Sequence, residues 1–370
     1  MDISINKQFN NNSSVHSGLD LQNRYVFVGK SAGSLNASND TTGVVIGYEA
    51  GRSSKNIGNN VFMGYRSGYN AVNDTDNVFV GTNSGTNNRS GSRNVLVGSD
   101  VCPKSATGMN NVMIGYKSGF ENQTGLNNVF VGIETGRSNR SGIDNVFLGR
   151  NAGMHNSNGH NNAFLGSNSG FYNINGKNNV FLGCNTGYHN TTGQNNVFAG
   201  HQAGQDHESG EHNVLVGAQC GLSLKEGFGN TYIGAQAGRL TDTGKDNVVL
   251  GTSAGEHTIR GAHSVLIGAN AGQFGNNQYH NLFIGNNAGR FHRTEPVRFL
   301  RSEDINGLDI TDYTKQQTPF IYPFDATHTL MNGDTLVTIR SKANVPMVVE
   351  RFHVPVVEYL NKLNDCYVLL

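Results

Sequence analysis

The chain of 370 residues contains no tryptophan, only six prolines and four cysteines, and its 27 basic and 27 acidic side chains cancel. Each absence excludes a class of function. A neutral balance with interspersed signs leaves no electrostatic footprint for nucleic acid and no basic run to hold an anionic membrane surface. The apolar runs are a handful of residues long, which excludes a membrane-spanning helix. Met1 to Asn12 is polar, with no apolar stretch of the kind a secretory signal needs. Cys102, Cys184, Cys220 and Cys366 form no CxxC pair and share no metal-ligand spacing, so they read as small buried hydrophobes. Hydrophobic residues make up 36%, below the globular norm, yet disorder does not follow, because the apolar residues are strictly ordered.

What is abundant is glycine, 49 residues, and asparagine. Both recur in one block, Asn-Val-Phe-Val-Gly-x-x-(Ala/Ser/Thr)-Gly. Its first glycine falls at Gly47, Gly64, Gly81, Gly98 and then every 17 residues to Gly285, with Gly29 one residue out of step. That makes 16 copies, 15 of them in phase. A fixed period of this length means one structural unit stacked on the next.

The unit can be read residue by residue. Asn145, Val146, Phe147, Leu148 and Gly149 form a short β-branched and aromatic segment closed by glycine, which predicts a strand. Alternation puts Val146 and Leu148 on one face and Phe147 on the other; both are apolar, so burial on both sides is expected. Gly149 and Gly153 mark tight corners or positive φ, where a Cβ would clash. Ala152, Ser169, Thr186 and Ala203 form a small column between the glycines, implying close approach to another backbone. Turn signals such as Asn122 to Gly125 fill the remainder. The Asn column through Asn128, Asn145, Asn162 and Asn179 predicts a side-chain ladder, which requires parallel, in-register coils. Propeller blades of about 40–50 residues are excluded. The fold expected is all-β: a parallel β-solenoid or β-roll of about 16 coils with a 17-residue period.

One apolar cluster per coil is too little for a self-sufficient triangular solenoid. Phe147-type residues fill a thin interior and leave the Val146/Leu148 face open along the chain, and apolar stripes of that size mark interfaces. Cyclic symmetry about the long axis lets each copy meet its equivalents, so a homotrimer is expected, with a dimer as the other solution.

The repeat block resembles the head repeats of YadA-type trimeric autotransporter adhesins and related viral and phage fibre repeats, over roughly residues 25–290. The resemblance implies a left-handed parallel β-roll of three intertwined chains with aliphatic residues facing the threefold axis. The period is longer than that of the adhesin heads, and neither a heptad stalk nor an anchor barrel is readable. Those differences point to a fibre made in a cytoplasm and displayed on a virion surface or as an extracellular fibre.

Three regions are expected: an arm or cap at 1–24, the shaft at 25–291, and a small β-rich domain at 292–370 acting as cap, knob or anchor. The last region holds five of the six prolines. It reads as an edge strand at Pro319 to Pro323, a hairpin about Asn332 and Gly333, strands at Met347 to Val354 and Tyr367 to Leu370, and a short helix at Val356 to Leu363.

Catalytic signals are weak. Gly29, Lys30 and Ser31 lack the upstream glycine of a phosphate-binding loop, since Arg24 stands there. No nucleophile elbow or zinc-protease motif occurs. His160, His212, His263 and His280 read as solvated. Asp206, Glu208 and Glu211 are the densest acidic cluster and the one place for a glycan-cleaving carboxylate pair. The expectation is therefore no enzyme and no cofactor or metal. The partners expected are further copies of the chain, a host glycan or protein receptor, and a capsid, baseplate or other virion protein. A polysaccharide-cleaving spike is the alternative, and an ice-binding solenoid ranks lower for want of a threonine column.

Overall fold

The computed structural model describes residues 18–20, 25–34, 42–55, 58–275, 277–290, 335–340 and 346–352. They form an all-β, parallel β-solenoid of about 15 turns with a 17-residue period. The chain divides into two compact units, Met1–Thr192 and Gly193–Leu370.

In the first unit the repeat strands run from Tyr25–Val28 and Gly43–Ile46 to Val146–Leu148, Ala163–Leu165 and Val180–Leu182. Each pairs in parallel with the equivalent strand of the next coil, so that Phe130 faces Phe147, Phe147 faces Phe164 and Phe164 faces Phe181. The strand Gly18–Asp20 pairs antiparallel with Tyr25–Val28. In the second unit the same ladder runs from Val197–Ala199 through Val214–Val216 and Thr231–Ile233 to Leu282–Ile284.

These three-residue strands would be unstable alone; register supplies their order. Every middle side chain points into the coil, and Phe62, Phe79, Phe130, Phe147, Phe164, Phe181 and Phe198 are wholly buried. The rings stack directly: 4.9 Å between Phe130 and Phe147, then 4.8 Å for each of the next two pairs, with planes within 7° of parallel.

The two glycines have separate jobs. Gly149 has φ +128°, and a Cβ there would lie 2.7 Å from the Gly166 carbonyl oxygen in the next coil. Gly153 has φ +57° and lies against the Phe147 ring, where a Cβ would overlap it. One glycine admits the neighbouring backbone and the other admits the core ring. The small column has the close approach expected of it: Ser169 Oγ donates to the Phe181 carbonyl at 3.2 Å, and Ala152 is wholly buried.

The second unit carries a second parallel sheet absent from the sequence reading. Ser209–Glu211, Glu226–Phe228, Thr243–Lys245, Arg260–Ala262 and Asn277–Tyr279 pair coil to coil. Further on, Thr335–Arg340, which overlaps the second arm of the hairpin expected about Asn332 and Gly333, pairs antiparallel with Pro346–Phe352, which overlaps the strand expected at Met347 to Val354. The other elements expected beyond residue 291 lie outside the described residues.

Because each coil touches only its neighbours, damage should stay local. Phe147→Ala removes a fully buried ring and is expected to cost about 3–5 kcal/mol. Amide exchange should accelerate in the coils of Phe130, Phe147 and Phe164, while distant coils keep their protection.

Candidate functional site

The interior is built on amides. The Asn145 main-chain N–H and its Nδ2 both donate to Asn128 Oδ1, at 3.0 and 3.1 Å, and Nδ2 also donates to the Gly159 carbonyl at 2.8 Å. Asn162 repeats these bonds on Asn145 and Gly176, and Asn179 bonds Asn162 likewise through N–H and Nδ2. Each side chain thus closes its own coil and joins it to the one before. Ser264 breaks the column without losing the acceptor, since Asn281 N–H donates to its Oγ at 3.2 Å.

A second buried ladder is built from asparagines that carry the pattern of turn residues in the sequence. Asn139, Asn156, Asn173 and Asn190 each donate Nδ2 to the Oδ1 of the asparagine one coil earlier, at 2.6–2.9 Å. Asn156 and Asn173 also bond the carbonyl of the glycine three residues on, both at 3.2 Å. Its signal was legible as Asn122, Asn139, Asn156, Asn173 and Asn190 at the same period. In the second unit this column becomes His207, Leu224, Thr241 and Thr258, none carrying an amide, and there the backbone pairs as the second sheet. Side-chain bonds to a turn carbonyl compete with backbone pairing, so the two changes coincide for a physical reason.

Two ionisable groups sit inside the coils. Asp74 is wholly buried where later coils place Gly91 and Gly108. Asn88 Nδ2 donates to its Oδ2 at 2.9 Å and Asn60 Nδ2 approaches its Oδ1 at 3.4 Å. Burial raises its pKa to about 7, against the pull of those bonds. His207 is wholly buried, places Nδ1 3.0 Å from the Leu224 carbonyl and meets the Phe198 ring edge-on. Burial lowers its pKa to about 4, so it stays neutral.

The outward face differs from expectation. Burial on both sides of the strand was predicted, but the single chain covers only the Phe147 face. Phe181 is 0% exposed, while Val180 is 44% and Leu182 is 51% exposed. Val146 in the first unit and Val197, Ile233 and Ile284 in the second are exposed at the equivalent positions of their repeats. The stacked pair Tyr48 and Tyr65, with centroids 5.6 Å apart, lies beside the rows in the first unit.

The residues weighed for chemistry stay scattered. Glu211 lies in the strand Ser209–Glu211 and has His212 at 3.9 Å, while Asp206 ends the preceding turn and Glu208 lies between that turn and the strand. His160 Nδ1 accepts from the Ile143 N–H at 3.0 Å. His263 and His280 stack at 5.1 Å, with Asp246 3.7 Å from His263. Among the described residues no group of three His, Cys, Asp or Glu is disposed to hold a metal ion. Cys102 and Cys220 are buried, and burial pushes both thiols up to about 12. Cys184 is exposed, because its position just after Gly183 turns outward; this corrects the reading of all four as buried. Cys366 lies outside the described residues. No described helix is long and apolar enough to cross a membrane.

No protein-family model, curated protein or solved structure matches the chain.

The two buried groups give opposite pH dependences. Between about pH 4 and 7 native Asp74 holds a proton that the unfolded chain releases, so stability falls as pH rises through that window, by roughly 4 kcal/mol in the limit. Asp74→Asn should therefore raise the melting temperature at pH 7.5 and have little effect near pH 4. For His207 the unfolded chain takes up the proton first, so stability falls as pH drops from about 6.5 to 4, and His207→Asn should remove that acid sensitivity. Thermal melts of each variant across pH 4–8 check both signs.

Proposed function

We propose that the chain is a non-enzymatic, homotrimeric fibre shaft that presents its terminal region to a host surface or joins it to a virion. The outward aliphatic rows carry this reading. Each coil exposes the Val146 and Leu148 positions, and burying the open half of such a side chain contributes on the order of 1 kcal/mol. One coil gains little against the cost of association, but the gain accumulates along the stack. A threefold axis beside the rows places equivalent residues of three copies together. The left-handed, three-chain roll of YadA-type heads, with aliphatic residues toward the axis, is the arrangement this resemblance supports. The β-rich region beyond residue 291 serves in this reading as cap, knob or anchor. Three copies held on one axis would turn weak receptor contacts into avidity.

Light scattering on the full chain should give three times the 39.8 kDa chain mass. The pair Val180→Lys and Leu182→Lys places cations in the rows without entering the coil, and should dissociate the assembly while the β-sheet circular dichroism persists. A folded wild-type monomer would sink the proposal.

A further inference from the structure

Three successive coils of the first unit gather five aromatic rings just past the second glycine of each repeat: His155, Phe171, Tyr172, Tyr188 and His189. They fall into two columns. Phe171 and Tyr188 stack at 4.8 Å with planes 12° apart. His155 stacks on Tyr172 at 5.1 Å, and Tyr172 on His189 at 5.8 Å, with planes within 8°. Across the columns the rings meet edge-on, at 76° for Phe171 and Tyr172, 88° for Tyr172 and Tyr188 and 87° for Tyr188 and His189. The result is a herringbone, in which Tyr172 is 38% and Ile174 beside it 40% exposed.

The platform is rigid. The buried amides of Asn156, Asn173 and Asn190 stand immediately after it and bond coil to coil. Its backbone is committed: His155 N–H donates to the Phe171 carbonyl and Tyr172 N–H to the Tyr188 carbonyl, both at 2.9 Å. An extended peptide therefore finds no open strand edge to extend. None of the five side chains carries a permanent charge, and desolvation, aided by the Arg137 charge, holds the His155 imidazole below its ordinary pKa. Tyr69 and Phe120, earlier in the same column, are instead covered by Arg66 at 4.4 Å and Lys104 at 4.9 Å. Beyond the rings runs an exposed amide row, where Asn158 Nδ2 donates to Asn175 Oδ1 at 3.3 Å.

We propose that this herringbone is a binding site for a neutral oligosaccharide lying along the coil-to-coil direction. Sugar C–H faces are apolar and rest on the exposed surface of Tyr172 and Ile174. Sugar hydroxyls meet the tyrosine hydroxyls, the His155 imidazole and the amide row, in the usual pattern of an apolar site with a few placed polar groups. The site lies within one chain. It rests on the fibre reading only for its use, in which three copies on one axis make a weak site effective.

The test is affinity electrophoresis of the full chain through native gels containing a soluble β-glucan, a galactomannan, glycol chitin or, as the anionic arm, alginate. Retardation is expected in at least one neutral gel and not in alginate alone. Tyr172→Ala should weaken it about tenfold, the scale of one lost ring contact. Tyr172→Phe should lie between, and Tyr69→Ala should match wild type. Should Tyr172→Ala fail to fold, as judged by its melting curve, His189→Ala takes its place. No retardation in any neutral gel, retardation unchanged by the ring variants, or retardation in alginate alone would overturn the site. Light scattering on the same samples keeps the two proposals apart: a trimer that binds nothing loses the site alone, and a monomer that binds loses the shaft alone.

Discussion

Hydrogen bonding between each coil and the one seventeen residues on is the constraint from which the other features of each unit follow. Once Val129–Val131, Val146–Leu148 and Ala163–Leu165 are paired in register, every side chain sits above its own equivalent. Identity between repeats then becomes a stabilising interaction in its own right. Phenylalanines stack at coil spacing, and asparagines pass a donor and an acceptor along the same column. Glycine at the Gly149 position is what permits the spacing, since the next coil's carbonyl occupies the place of a Cβ.

An interior lined by asparagine stabilises only while its amides are fully bonded, because a buried polar group without a partner costs more than an apolar one. The first ladder meets that demand with three bonds per residue, one of them from the next main chain. Departures from the repeat, two in the asparagine columns and Asp74 in the glycine column beside them, show how far the demand bends. Ser264 keeps the acceptor, Asp74 brings a carboxyl that is easier to bury protonated, and His207 brings a ring that is easier to bury neutral. The same interior that tolerates polar groups makes ionisable ones sensitive to pH.

What faces outward is left over from this internal economy. The coil has no use for the Val180 and Leu182 side chains, nor for the ring faces at Tyr172. Yet each recurs at a fixed step, so the outer surface is an ordered array of like groups. Aliphatic rows suit another copy of the chain; offset rings with polar edges suit a ligand that is apolar on its face and polar at its rim. Both surfaces ride on a scaffold whose backbone bonds are already satisfied.

Much of this was legible in one dimension because the period aligns the residues before any folding is considered. The parallel solenoid, the inward Phe147 position, the two glycine columns and the ladder through Asn128, Asn145, Asn162 and Asn179 all follow from a 17-residue step and strand alternation. The rest depended on neighbours that a linear reading does not weigh. Asn139 and Asn156 looked like turn residues because their bonding is across coils. Ser209 to Glu211 has no strand propensity and pairs because the stack brings equivalent backbone together. Cys184 turns outward although cysteine is usually buried, and the herringbone exists only where Phe171 and Tyr172 are laid one coil from Tyr188 and His189. Periodic spacing determined which residues share a column; only the closed coil decided which columns are sealed inside, because burial depends on where the chain turns back on itself.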